Sequence, residues 1–101
     1  MLEANEGLEN IFENAVKEAE KRRHEYVTIE HVVLSLIKDK HIGTVLHEFK
    51  VQVGALIKDV EDYLDTKCND IIAKGSEPMT PRKTASLERL MNRAFTQALF
   101  Q

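Results

Sequence analysis

The sequence predicts an all-α fold of five helices. Its 101 residues contain only four glycines and two prolines, which leaves long stretches without a helix breaker. Within these stretches the apolar residues recur every third or fourth position, as they do on the buried face of a helix. No segment alternates apolar and polar residues convincingly, and no strand–helix–strand pattern appears. We therefore expect one small helical bundle around a single core.

The first predicted helix covers residues 6–22 and has a cationic end, which suits the negative pole of a helix dipole. Its apolar pattern returns near the end of the chain, where residues 87–98 match residues 8–19 at an offset of 79. Leu, Glu and two Ala recur at matched positions, and three further positions stay apolar. The match indicates either a tandem repeat or two amphipathic helices that bury similar stripes.

The second predicted helix covers residues 29–38. Thr28 is placed to cap it, and Glu30 would then lie in its first turn, where an anion is favoured. Residues 32–37 are almost continuously apolar, which is typical of a central helix. Because several of these residues are β-branched, a short strand is the competing interpretation.

Two further helices are predicted over residues 41–49 and 52–66. Residues 69–83 are rich in turn formers and are interpreted as a linker. A fifth helix follows. It could begin with Pro81 after Thr80, or either Thr84 or Ser86 could cap it.

Composition and charge exclude several classes of function. With 43% hydrophobic and 31% charged residues, the chain is expected to fold, and its net charge of −3 argues against nonspecific binding of nucleic acid. No apolar run is long enough to cross a membrane, and the first residues lack the features of a secretory signal. Cys68 has no cysteine partner within the chain, which fits a cytoplasmic location.

Two segments, RHEYVTIEHVVLSL at residues 23–36 and TASLERLMNRA at residues 84–94, resemble the amino-terminal domain of the Clp (Hsp100) AAA+ unfoldases. Residues 23–36 contain the order Arg-His-Glu-aromatic-x-Thr-x-Glu-His, which is similar to the ClpA branch of that family. Residues 84–94 resemble the opening of the domain's second repeat. The resemblance implies a bundle of two four-helix repeats. This chain would then hold the first repeat over residues 1–68, a linker over 69–83 and the first helix of a truncated second repeat over 84–101.

The resemblance also implies a function in docking. In the ClpA branch this domain receives the adaptor ClpS, which brings substrates with destabilising amino-terminal residues, and the unfoldase passes them to the ClpP peptidase. The positions that match the family's adaptor-contacting residues are Glu25, Glu30, Thr84 and Arg89. ATP would bind in AAA+ modules of the parent protein. The present chain has no G-x-x-x-x-G-K-[ST] sequence, so we expect neither a cofactor nor ATP hydrolysis in it.

Each of the four residues also has a purely structural interpretation. Glu25 belongs to the short connector between the first two predicted helices, residues 25–27, and could be a solvated carboxylate or a contact on a rigid surface. Glu30 could serve only the helix dipole, and Thr84 only the cap of the fifth helix. Arg89 is expected to face away from the apolar stripe, where its guanidinium could add solubility or bind a partner's carboxylate or carbonyl.

The sequence supports metal binding or catalysis less well than it supports docking. The four histidines and Cys68 form no zinc-binding pattern, so no metal site is expected, and His31 is expected to bond to the connector. A small helical hydrolase using Glu25, His24 and His31 lacks a nucleophile. Two further hypotheses stay open. One is a ClpC-type or ClpB-type domain, which would take different adaptors or aggregated proteins, and the second is a helical scaffold without a partner.

The fifth helix carries an apolar stripe that needs cover. We expect this stripe to pack back on the first repeat or to pair with another copy of the chain. It consists of Leu87, Leu90, Met91, Ala94, Phe95 and Ala98.

Overall fold

The structure is a computed structural model that describes residues 2–100, with side chains described from residue 6. It contains five α-helices and a minimal parallel sheet, which confirms the all-α prediction. Met1 and Gln101, the outer limits of the predicted ranges 1–68 and 84–101, lie outside the described residues. In chain order the elements are α1 (Leu2–Lys21), β1 (Tyr26–Val27), α2 (Ile29–Lys38), α3 (Lys40–Glu48), α4 (Val53–Thr66), a 3-10 turn (Asn69–Ile71), β2 (Arg82–Lys83) and α5 (Ala85–Leu99).

The buried apolar residues form two clusters instead of the single core expected from the sequence, and the larger cluster lies around α1. The helical spacing of its apolar residues puts Ile11, Phe12, Ala15 and Ala19 on one face, and all four are buried. The two alanines let neighbouring elements approach closely, and Val27 of β1, Val32 of α2 and Leu87 of α5 complete the cluster.

Helix α5 packs back against α1. Leu87 is almost fully buried, and Met91 and Phe95 lie against the same cluster. The rings of Phe95 and Phe12 have centroids 5.6 Å apart and are tilted, a favourable aromatic geometry. Two arrangements were predicted for the fifth helix, and the structure shows the one in which it packs back on the first repeat, against α1. Pairing with another copy stays a prediction.

Helix α2 is central, as predicted, and the strand interpretation is wrong. Leu34 and Ile37 on one side join Leu64 and Cys68 in a second apolar cluster, while Val32 joins the first. The buried hydroxyl of Ser35 donates a hydrogen bond of 2.6 Å to the carbonyl of Ile11 on α1. Contacts on both sides explain why this helix is apolar around most of its circumference.

Ion pairs on the outer edge tie α1, α2 and α4 together. Glu18 accepts hydrogen bonds from Arg22 and Lys38, both at 2.8 Å, while Arg22 also reaches Asp65 and Lys38 also reaches Glu61. Burial alone would raise the pKa of Glu18, but the bonds from Lys38 and Arg22 outweigh it and lower that pKa.

The segment predicted as a linker has more order than its composition suggests. It begins with the 3-10 turn and ends with β2, which pairs in parallel with β1 in the register Tyr26↔Arg82 and Val27↔Lys83. Strands of two residues are too short to show alternation, so no sequence signal marks them. The pairing brings the connector after α1 against the segment that leads into α5.

Candidate functional site

The β1–β2 pair places the starts of two helices side by side. The strands are parallel and each leads directly into a helix, so α2 and α5 begin at the same edge. Thr28 is the N-cap of α2 and Thr84 is the N-cap of α5. The N–H of Thr84 donates to the carbonyl of Val27 at 3.2 Å. We call this edge the junction, defined by residues 25–30 and 82–89.

Glu25 projects from a fixed part of the connector. Its N–H donates to the carbonyl of Ile71 at 2.6 Å, and its carbonyl accepts from the N–H of Arg82 at 2.8 Å. The side chain is exposed and makes no hydrogen bond or ion pair to any residue that the structure describes. The backbone of Glu25 is therefore fixed, while its carboxylate remains free for a partner.

Glu30 is half-buried in the first turn of α2, where a negative charge stabilises the helix. It also lies near the end of α4. Burial, followed by the charges of Glu30 and Asp70, raises the pKa of the Cys68 thiol. A thiol held in its neutral form is a poor nucleophile, which argues against catalysis by Cys68.

Thr84 caps the amino-terminal end of α5, which is one of the roles predicted for it from the sequence. Its hydroxyl oxygen accepts a hydrogen bond of 3.1 Å from the N–H of Leu87, so Thr84 rather than Ser86 caps α5. The side chain is half-buried, and its hydroxyl proton remains available as a donor to a partner.

Arg89 is exposed on the second turn of α5, away from α1, as the periodicity predicts. Its Nη2 lies 3.3 Å from the hydroxyl of Ser86, a contact that leaves most of the guanidinium donors free. The backbone pairing joins Glu25 to the Thr84 side of the junction, whereas Glu30 and Arg89 lie on separate helices. Within the described chain, no hydrogen bond or ion pair links the four side chains.

A buried histidine pair fixes the connector from beneath. The Nδ1 of His31 accepts from the N–H of Thr28 at 2.9 Å, so in the neutral ring the proton lies on Nε2. That Nε2 donates to the Nδ1 of His24 at 2.8 Å. The sequence predicted a bond from His31 to the connector, residues 25–27, but the partners are Thr28 and His24, which lie on either side of it. The role of His24 was not predicted, and its only sequence signal is that the two histidines flank the connector.

Both rings are held neutral. Burial, followed by the proximity of the titratable His24 and of the Arg22 cation, lowers the pKa of His31 to about 4. Burial and then Arg22 also lower the pKa of His24. Neutrality suits the hydrogen bonds, because a proton on the Nδ1 of His24 would face the N–H of His31.

The groups of the hydrolase hypothesis do not converge. Glu25 lines a surface cleft with residues 73–80, whereas His24 lines a different cleft beside α4. No set of three or more His, Cys, Asp or Glu residues in the described part of the chain is arranged to hold a metal ion. None of the described helices combines the length and the apolar content that a membrane span requires.

Comparison with known proteins identifies the family. Residues 3–99 match the Clp repeat N-terminal domain family. The chain belongs to this family. The "ClpA homolog protein" of Fuscovulum blasticum is similar, with 32% identity over 89 residues that cover 86% of this chain. The aligned part is 11% of that relative's length. Clp N-terminal domains are non-catalytic parts of Clp ATPases that take part in protein–protein interactions.

Proposed function

We propose that this Clp N-terminal domain is the adaptor- and substrate-docking module of a ClpA-like unfoldase. Its partner is a ClpS-like adaptor that carries substrates with destabilising amino-terminal residues. The parent protein binds ATP in separate AAA+ modules and passes unfolded substrates to the ClpP peptidase in the cytoplasm.

The observation that carries this proposal is the construction of the junction. Parallel pairing of β1 with β2 brings the chain segment that leads from Glu25 to Glu30 next to the start of the segment that leads from Thr84 to Arg89. These are the four positions at which the resemblance to the family predicts adaptor contacts. Backbone hydrogen bonds and the buried histidine pair hold the connector, so docking requires little ordering of the domain.

The chemistry of the junction fits exchangeable docking better than permanent assembly. Exposed charges of both signs give specificity and fast association but modest affinity. A docking domain tethered to the unfoldase raises the local concentration of the delivered substrate near the ring. Neither the docking of an adaptor nor the local concentration of its substrate requires a reactive group in the domain.

Titration calorimetry with purified ClpS tests the proposal. We expect the domain to bind ClpS, and we expect Glu25→Ala and Arg89→Ala each to weaken binding by at least about tenfold, since a charge-assisted hydrogen bond contributes about 1.5–3 kcal/mol. Glu13→Ala on α1 and Arg93→Ala on α5 are matched controls, because both side chains are exposed outside the junction. Circular dichroism verifies that each variant is folded.

Two results would overturn parts of the proposal. A folded domain that fails to bind ClpS would exclude the ClpS-like partner and favour different adaptors or aggregated proteins, as in ClpC-type or ClpB-type domains. Normal binding by both junction variants would move the adaptor site elsewhere on the domain.

A further inference from the structure

A cleft of about 390 Å³ opens between the β1–β2 pair and residues 73–80. Tyr26 and Arg82 are register partners, so their side chains project from the same face of the strand pair. Val27, which follows Tyr26, points to the opposite face and is buried in the core. The cleft therefore lies on the outer face, where Tyr26 is 41% exposed.

The second wall of the cleft is tied to the connector. Arg23 adopts a left-handed backbone conformation with φ of 57°, which is uncommon for a residue other than glycine. Its Nη2 donates to the carbonyls of Gly75 and Glu77, both at 3.1 Å, and its own carbonyl accepts from the N–H of Ala73 at 2.7 Å. Three hydrogen bonds to one residue hold this loop beside the strand pair.

The cleft carries an excess of positive charge in a chain whose net charge is negative. Its lining includes three cationic side chains, Arg23, Lys74 and Arg82, and two carboxylates, Glu25 and Glu77. Lys74 and Arg82 are exposed and form no ion pair or side-chain hydrogen bond with the residues that the structure describes. Two cations thus remain free beside the apolar surface of Tyr26.

We propose that this cleft binds the last residue of a peptide. The free carboxylate at the peptide's end lies between Arg82 and Lys74, and its apolar side chain packs on Tyr26 and Met79. A planar guanidinium suits a carboxylate because it donates two parallel hydrogen bonds. Glu25 and Glu77 repel further negative charge, so the site selects one carboxylate beside an apolar group over an acidic chain.

This inference goes beyond adaptor docking, because Lys74, Arg82 and Met79 are not among the four predicted adaptor contacts. Glu25, Tyr26 and Arg82 belong to both the cleft and the junction. A peptide in the cleft would therefore lie next to an adaptor bound at the junction.

Fluorescence anisotropy tests the inference with a labelled hexapeptide of glycine and serine that ends in leucine. The probe with a free carboxylate is compared with the same peptide as a carboxy-terminal amide, and with a peptide that ends in two glutamates. We expect the amide to bind about tenfold more weakly, because it loses one charge-assisted interaction. The acidic peptide is also expected to bind more weakly than the leucine peptide.

Arg82→Gln and Lys83→Gln form a matched pair of variants. Both residues are exposed on β2, but Lys83 is the register partner of Val27 and belongs to the opposite face. Arg82→Gln should remove the preference for the free carboxylate, and Lys83→Gln should retain it. Equal binding of acid and amide, absence of binding, or an unchanged preference in folded Arg82→Gln would each overturn the inference. Calorimetry of ClpS with the unmodified domain is unaffected by these outcomes, so the two proposals can fail separately.

Discussion

Helices α1 and α5 carry the same apolar pattern but differ in burial. Ile11 and Phe12 of α1 are buried, whereas their counterparts in α5, Leu90 and Met91, are respectively exposed and half-buried. Only Leu87 of α5 is fully covered among its described residues. Within the described residues α1 packs against both α2 and α5, while α5 packs mainly against α1. The pattern therefore predicts which face of a helix is apolar, and the number of neighbours decides how far that face is covered.

The largest expected effect tests this difference directly at matched positions. Ile11→Ala should lower the free energy of unfolding by about 3 kcal/mol, since it removes a buried side chain and leaves a cavity. Leu90→Ala should lower it by less than about 1 kcal/mol, because solvent already reaches Leu90. Urea denaturation measures both values. Equal losses would show that α5 is covered as fully as α1.

The buried histidine pair should make stability depend on pH. The pKa of His31 falls from 6.5 in the unfolded chain to about 4 in the folded one, so the unfolded chain binds more protons between these values. Stability is therefore complete above about pH 6.5 and decreases as the pH falls towards 4, by about 3 kcal/mol at most.

Denaturation at a series of pH values, with two variants, checks this expectation. His31→Gln should flatten the pH dependence between 6.5 and 4, whereas His47→Gln, at an exposed position on α3, should keep it. A slope that is the same in both variants would assign the acid sensitivity to different groups.

A smaller effect is expected at the start of α5. Thr84→Ala removes the hydroxyl that accepts from Leu87 and should lower the free energy of unfolding by about 1 kcal/mol. Ser86→Ala, two residues further on, should change it by less than about 0.5 kcal/mol, because Ser86 is exposed and does not cap the helix. The reverse order in thermal or urea denaturation would assign the cap to Ser86.

The smallest expected effect on stability is at Arg89. Because its side chain is exposed and, among the described residues, hydrogen-bonds only to Ser86, Arg89→Ala should change the free energy of unfolding by less than about 0.5 kcal/mol. The same variant should weaken ClpS binding clearly. A large loss of stability would indicate that Arg89 supports the fold instead of a partner.

Features that depend on local periodicity could be predicted from the sequence. The five helices, the central position of α2 and the outward direction of Arg89 all follow from spacing on a helix. The cap at Thr84 was one of three predicted starts for the fifth helix, and the structure excludes the other two, a start at Pro81 and a cap at Ser86.

Features that depend on pairing between distant residues could not be predicted. The β1–β2 contact joins Tyr26 to Arg82 through two residues of each strand, too few for a pattern to appear. The hydrogen bond between His24 and His31 depends on the path of the connector. The position of the loop of residues 73–80 depends on hydrogen bonds from Arg23. The four candidate site residues came from the family resemblance, since exposed single residues carry no periodic signal.

The junction, in our proposal, is the adaptor-docking face of this Clp N-terminal domain. Chemical-shift mapping of the ¹⁵N-labelled domain during titration with ClpS tests this most directly. We predict that the largest shifts cluster at residues 25–30 and 82–89, with α3 unaffected. Shifts that cluster on α3 and α4 while the junction stays unchanged would contradict it.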